Sequence, residues 1–390
     1  MPLFAPLPPE TRRILNGVPA LIDKTFPLPG RFRFKLPADV AELSRLLTSG
    51  RGERELSYLG RPNLLSAYLR YFMPWNLYRL CRLLPGLDIT LTAGDRITDL
   101  GCGPLTLTAA LWICRPDLRS VPLEFNCIDR SGPVLEAGKK FFAALTASCG
   151  SSGGLWKIHT VRGGIEAQKS STGRGTVRGK PAALVCAVNV FNEMYGDISR
   201  ARGCNAEKSA GLVESYVSAS AGILIVEPGF PRCGEFISQM RTVFLKHGRY
   251  IVSPCPHDSA CPFPGGKKHE RWCHFAFETK DAPPSLHKLS LTAGLPKDRA
   301  VLSFLFAGPK VLQEKQEETE RVRIISDSFS LPGGRYGRYC CSAKGLVLLT
   351  GEKKTMEKTA SGELLDVILE KDKTDAKSGA VVGVQENKEK

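Results

Sequence analysis

Between residues 95 and 230 five short apolar runs, RITDLG, LEFNCID, LWKIHTV, ALVCAVN and GILIVEPG, alternate with stretches of helical spacing. Short Val- and Ile-containing runs separated by crossover-length segments predict parallel strands covered on both faces by helices. Helices are expected at 104–114, 131–148, 205–220 and 231–247. The chain is therefore read as α/β with a mostly parallel sheet. At 390 residues, 42% of them hydrophobic, it is long enough for one full domain with appendages.

The flanks read differently. Residues 1–90 carry helical patterns in PADVAELSRLLTSG and RPNLLSAYLRYFMPWNLYRLCRLLPGL, with Leu64, Leu65, Tyr68, Leu69 and Phe72 forming an apolar stripe that is expected to pack on the core. Arg61, Arg70, Arg79 and Arg82 are expected to face solvent or a phosphate backbone, and Pro74 to end one helix and start another. A core domain is assigned to 91–250. Residues 251–350 form a cysteine-rich, strand-rich extension, and 351–390, charged and free of aromatic residues, reads as a disordered tail apart from a helical turn at ELLDVILEK. Within the core, GGIEAQKSSTGRGTVRGKPA reads as a mobile basic loop.

The sequence ITDLGCGPLTLTAAL ends a strand at Asp99 and opens a helix at Pro104, with Gly101 and Gly103 between them. Glycines there let the backbone turn tightly and approach a ligand, and Pro at a helix start loses no hydrogen bond. A dinucleotide loop would carry a third glycine where Thr106 stands. The pattern instead resembles motif I of the class I S-adenosylmethionine-dependent methyltransferases, a Rossmann-like fold. Asp129, at the end of the next strand, suits two ribose hydroxyls because a carboxylate accepts two hydrogen bonds from a vicinal diol. The fourth strand ends in AVNVFNEMYGD, which lacks both the paired prolines of base-amine methyltransferases and the Pro-Cys of cytosine C5 enzymes. Asn189, Asn192 and Glu193 are candidates to touch cofactor or substrate, or to cap the next segment. No base or nucleophile stands out, so methyl transfer is left open and the catalytic residue unassigned.

Thirteen cysteines in a chain without a signal-peptide pattern argue against a disulfide framework. Cys81, Cys114, Cys127, Cys186 and Cys233 sit singly in apolar segments and read as core. Cys255, Cys261 and Cys273 do not, because they lie in a polar, proline-rich stretch with the spacing C-x5-C-x11-C. Structural zinc sites pair their ligands more tightly, and this wider spacing suits a cubane iron-sulfur centre; His257, His269 and His274 keep zinc as the alternative. Alternation in a strand would send only one of Cys340 and Cys341 toward such a centre.

With RYCCSAKGLVLLTG downstream, SPCPHDSACP and WCHF resemble the methyltransferase-like family associated with the mitochondrial ribosomal small subunit and its bacterial counterparts, over roughly residues 35–350. The resemblance implies a factor that binds small-subunit ribosomal RNA among ribosomal proteins. It implies S-adenosylmethionine bound by Asp99, Gly101, Gly103, Asp129 and Asn189, and a 4Fe-4S cluster on Cys255, Cys261, Cys273 and Cys340, with Cys341 as alternate. Active RNA methylation with structural zinc is the alternative reading. Lys and Arg outnumber Asp and Glu by 54 to 39, a formal charge of +15, which favours polyanions through counterion release. The RNA contacts are expected from the N-terminal helices and loop 163–180. No run of eighteen apolar residues is present, so no membrane span is expected, and a bacterial chain of this kind would be cytoplasmic.

Overall fold

The computed structural model describes residues 3–48, 50, 58–150, 153–165, 181–194, 206–264, 271–310 and 321–385. Most of the basic loop expected at 163–180, residues 166–180, lies outside the described residues.

The strands of the first sheet are β1 (Arg96–Leu100), β2 (Leu123–Asp129), β3 (Trp156–Arg162), β4 (Ala182–Val188), β5 (Val217–Pro228), β6 (Arg249–Ser253), β7 (Phe275–Glu278) and β8 (Arg299–Lys310). Their order is β3-β2-β1-β4-β5-β8-β6, with β7 also paired to β8. Pairing is parallel from β3 through β5 and antiparallel from β8 outward. Strand order reverses between β1 and β4, so a crevice opens beyond their carboxyl ends, where ligands of such sheets bind.

Helices α1 (Pro9–Thr25), α2 (Gly30–Arg33), α3 (Leu36–Leu47), α4 (Pro62–Ala67) and α5 (Met73–Leu83) precede the sheet. The crossovers carry α6 (Thr106–Cys114), α7 (Gly132–Ser148), α8 (Phe191–Met194), α9 (Ala206–Glu214) and α10 (Pro231–Lys246), and α11 (Pro284–Thr292) stands between β7 and β8. Every residue of α6 is buried, because the N-terminal helices cover the side that the sheet does not. Trp112 sits within that layer, edge-on to Phe142 and Trp156. The apolar stripe packs on the core as expected.

Two N-terminal expectations change. Pro74 does not break the helix: a π-helical turn at Tyr68–Phe72 links α4 to α5 and accommodates the missing N–H one residue after α5 begins. Nor do three of the four arginines face solvent. Arg70 is buried and paired to Asp23 at 3.1 Å, Arg79 bonds Asn76 and the Val301 carbonyl, and Arg82 pairs with Asp281 at 3.2 Å. Only Arg61 is exposed. The Arg79 and Arg82 guanidiniums tie the helical layer to the segments around β7 and β8, while Arg70 holds that layer together.

Beyond 320 lies a second body. It comprises β9 (Arg321–Ile324), β10 (Phe329–Ser330), β11 (Tyr336–Ser342), β12 (Gly345–Gly351), α12 (Lys353–Lys358), β13 (Leu364–Thr374) and β14 (Val381–Gln385). The pairing β11-β12-β14-β13-β9 closes through β9 back onto β11. All contacts are antiparallel except β12 with β14, and α12 connects the third and fourth long strands. Five strands in the order 1-2-3-5-4-1, with a helix after the third, form an OB barrel.

The disordered tail expected at 351–390 is thereby corrected over residues 351–385, and 386–390 lie outside the described residues. Leu365, Val367 and Leu369 face the barrel interior, while Asp366, Ile368 and Glu370 alternate outward, so the charges that suggested disorder lie on the wet face of a strand. ELLDVILEK is strand, not helix. Met356 of α12 is fully buried against the interior formed by Val322, Ile324, Val347 and Leu349. The core sheet also runs past residue 250, since β6 to β8 complete it.

Candidate cofactor cleft and thiol cluster

The crevice at the reversal point is lined by Tyr58, Tyr68, Gly101, Gly103, Asp129 and Asn189, among others. Gly101 and Gly103 have φ of 66° and 54°. A Cβ on Gly101 would stand 2.6 Å from Val190 Cγ2, so both backbone hand and space require glycine there. Asp129 braces the loop: its Oδ2 accepts the Gly103 N–H at 3.0 Å, and its Oδ1 accepts the Ser131 N–H at 2.8 Å. Each oxygen retains a lone pair for a ligand hydroxyl. Burial raises the Asp129 pKa, and the Ser131 and Gly103 bonds oppose that rise.

Asp99 does not line the crevice. It lies behind the loop, 1% exposed, and neither carboxylate oxygen has a hydrogen-bond partner among the described residues. Burial first, and the charge of Asp129 second, push its pKa well up. A positive-φ glycine loop braced by an acid with free lone pairs facing the crevice fits a cofactor bearing a ribose.

Asn189 takes φ 56° and donates its N–H to Val226 at 2.7 Å. Next to it, Glu227 at the end of β5 accepts the Phe191 and Asn192 N–H groups at 2.8 and 3.2 Å, and burial raises its pKa to about 8 against those bonds. Phe191 packs against Phe236 inside the protein and is not presented to a base. Tyr58 closes the crevice from the N-terminal region, its hydroxyl 3.0 Å from Glu193 Oε2. The remaining cavity is about 140 Å³, below the roughly 300 Å³ at which small-molecule sites begin.

A second constellation lies at the joint between core and barrel. Cys255 and Cys261 follow β6, Cys273 precedes β7, and Cys341 projects from β11. Each of these four thiols lies within electrostatic range of the other three. Among the described residues no three His, Cys, Asp or Glu side chains close tightly enough to ligate a single metal ion.

Cys340, the favoured fourth residue from sequence, is on the wrong face. It points into the barrel among Val322, Ile324, Val347 and Leu349. The alternate, Cys341, faces the other thiols, with His257 Nε2 3.2 Å from its sulfur. The phase of β11 is set by barrel closure: Cys340 fills the interior, so Cys341 must point out.

Two buried arginines, neither anticipated, hold this cluster. Arg241 on α10, 3% exposed, directs Nε at Cys255 Sγ (3.2 Å) and Nη2 at the carbonyls of His257 (2.7 Å) and Ser259 (2.9 Å). Arg323 on β9 donates to the carbonyls of Pro254 (2.7 Å) and Gly362 (2.8 Å). The sequence signal was an arginine on the apolar face of α10, among Ile237, Met240 and Phe244. Burial pushes the Cys255 and Cys273 thiols up, and the charges of these two arginines oppose that rise. His269 lies outside the described residues, and the His274 ring stacks on Trp272.

The sheet order and the glycine loop, with an acid at the end of β2, define a class I methyltransferase fold. The family described as the mitochondrial small ribosomal subunit Rsm22 matches residues 107–335. The chain belongs to that family. Among curated proteins none matches. Solved structures similar to it include a Listeria monocytogenes protein described as a class I S-adenosylmethionine-dependent methyltransferase, at 13% identity over 79% of this chain and 90% of that one, TM-score 0.36. Another is an S-adenosylmethionine-dependent methyltransferase from Thiobacillus denitrificans in complex with S-adenosyl-L-homocysteine, at 14% identity over 60% and 91%, TM-score 0.32. A third is the precorrin-6y C5,15-methyltransferase of Geobacter metallireducens, at 10% identity over 61% and 87%, TM-score 0.33. Among the described residues no helix is long and apolar enough to cross a membrane.

Proposed function

We propose that the chain is a small-ribosomal-subunit assembly or translation factor that binds ribosomal RNA, holds S-adenosylmethionine in the crevice of its core, and carries a 4Fe-4S cluster on Cys255, Cys261, Cys273 and Cys341. One observation carries the reading: four thiols from the core and the barrel converge around two buried guanidiniums in a member of a small-subunit family. A cubane distributes its ligands over four iron corners. Zinc on the same thiols is the alternative reading.

The cluster, when bound, supplies binding free energy that only the folded chain can collect. Arg241 and Arg323 offset the thiolate charge, and Cys341 pins the barrel to the core. In the crevice, Gly101 and Gly103 let the backbone approach the cofactor, and Asp129 takes its ribose. The cofactor supplies an activated methyl group; Phe191, turned inward, offers no stacking platform to an acceptor base. Binding, rather than methyl transfer, is therefore the function assigned. The working compartment is that of the ribosome served, cytoplasm or mitochondrial matrix.

Anaerobic purification with iron and sulfide counts tests the centre. Cys341→Ser is expected to lose most of the iron and the broad visible absorbance, while Cys340→Ser keeps both. The reverse result, or zinc in place of iron, overturns the ligand assignment. Sedimentation with the small subunit should survive Gly101→Asp and fail in Cys261→Ser.

A further inference from the structure

The turn that joins α2 to α3 leaves aromatic rings in water. Residues 30–36 read GRFRFKL, and Pro27 and Pro29 stiffen the approach to them. The Phe32 N–H bonds to the Pro29 carbonyl at 2.9 Å, the Lys35 N–H to Phe32 at 3.2 Å and the Asp39 N–H to Lys35 at 3.0 Å. Phe34 and Lys35 keep helical dihedrals, so α2 runs into α3 along one helical path. From that path Leu36 and Val40 pack on the core, while Phe32 and Phe34 do not. Phe34 is 89% exposed, the most of any large apolar side chain among the described residues, and Phe32 is 43% exposed. A phenylalanine left in water forgoes the free energy that burial would contribute, and a partner can supply that burial.

Cations flank both rings. Arg31, Phe34 and Lys35 stand at i, i+3 and i+4 and so share a helical face, and the Arg31 guanidinium lies 4.9 Å from the Phe32 centroid. Ala38, exposed four residues beyond Phe34, adds no bulk beside that ring. The neighbouring acids are engaged: Asp23 by Arg70 at 3.1 Å and Arg33 at 3.9 Å, Asp39 by the Asn63 amide at 2.8 Å, and Glu42 by Arg45 at 3.1 Å. Lys24, Arg31 and Lys35, all exposed, pair with no carboxylate among the described residues. A flat ring standing out from a convex turn between such cations matches an occupant that offers a π-face and negative charge together. An unpaired nucleotide has both, since its base stacks on an aromatic ring while its phosphate meets a guanidinium or ammonium. A paired helix hides its base faces, and two rings fall short of the broad apolar face with which a helix lies in a membrane.

We propose that the turn between α2 and α3 is a docking point for unpaired RNA, with a base on Phe34 and phosphates on Arg31 and Lys35. The inference rests on the RNA-binding reading above and gives it a location. It places the contact on the exposed turn rather than on Arg70, Arg79 and Arg82, which are engaged inside the protein.

The test titrates full-length protein, purified anaerobically, with a labelled oligouridylate, an RNA duplex of equal length and vesicles of anionic phospholipid. Single strand should bind more tightly than duplex. Phe34→Ala should weaken the single strand about fivefold or more, in line with the loss of one stacked base, while Phe34→Tyr keeps it and duplex and vesicle binding do not change. Arg31→Gln with Lys35→Gln should lower the slope of log affinity against log salt by about 1.4, as expected for two phosphate contacts on a single strand. Metal content and melting temperature should remain those of the native protein, because the substituted side chains are exposed. Equal single-strand affinity of native and Phe34→Ala proteins, preference for duplex, or a Phe34→Ala loss seen on vesicles in place of RNA would each overturn the docking point. So would a Phe34→Ala protein that leaves the small subunit yet keeps the oligonucleotide, since the ring would then serve a protein partner. Sedimentation with the small subunit is measured in parallel. If native protein fails to sediment, the broader reading falls; if it sediments while Phe34→Ala binds RNA normally, the docking point alone falls.

Discussion

Gly101 illustrates what a single position reveals. Its φ of 66° and the 2.6 Å gap that would separate Val190 from any added methyl group leave room for hydrogen alone. Gly101→Ala is expected to lower stability by about 2 kcal/mol from backbone hand and crowding and to weaken S-adenosylmethionine at least tenfold by calorimetric titration. Asp99 behaves oppositely. Its folded pKa lies above the unfolded value of about 3.9. The native state therefore holds the proton more tightly, and this contribution is complete below about pH 4 and fades as pH rises through the folded value. Asp99→Asn should gain melting temperature over the native chain progressively as pH rises above about 4, in a calorimetric series; a constant difference would contradict the assignment. Glycines and acids at strand ends were legible because their role is local. Arg241 and Arg323 were not, since each meets its thiols only after distant segments are folded together.

At the level of elements, alternation predicted most strands of the first sheet, where apolar runs stand alone between helices. The barrel was half visible. Residues up to 350 were read as a strand-rich extension, but LLDVIL and VVGV were lost among lysines and glutamates because no composition window separates an outward strand face from a solvated tail. Phase was lost with them: Cys340 and Cys341 are indistinguishable until the interior is known. A chain ending after residue 351 is expected to lose β13 and β14, expose Val322, Ile324, Val347 and Leu349, and appear as an aggregated or iron-poor protein on gel filtration. A soluble, iron-replete truncation would show that the barrel closes without them.

The whole molecule is two bodies joined by the thiol cluster, with Arg323 of the barrel bonded to the Pro254 carbonyl and Cys255 bonded to Arg241 of the core. On the proposed cluster reading, anaerobic chelation of iron should lower the melting temperature and accelerate amide exchange in β11 and in the segment after β6, while the sheet interior at β1 and β4 keeps its protection. Uniform exchange across both bodies would argue against a local joint. The parallel contact of β12 with β14 has a temporal implication. During synthesis the amino-terminal body emerges and folds first, but the last described strand must slot between β12 and β13 before the barrel is whole. On the proposed cluster reading, loading of metal is a terminal event in the life of a nascent chain, and a polypeptide interrupted near its end carries every cysteine yet has nowhere finished to put the iron.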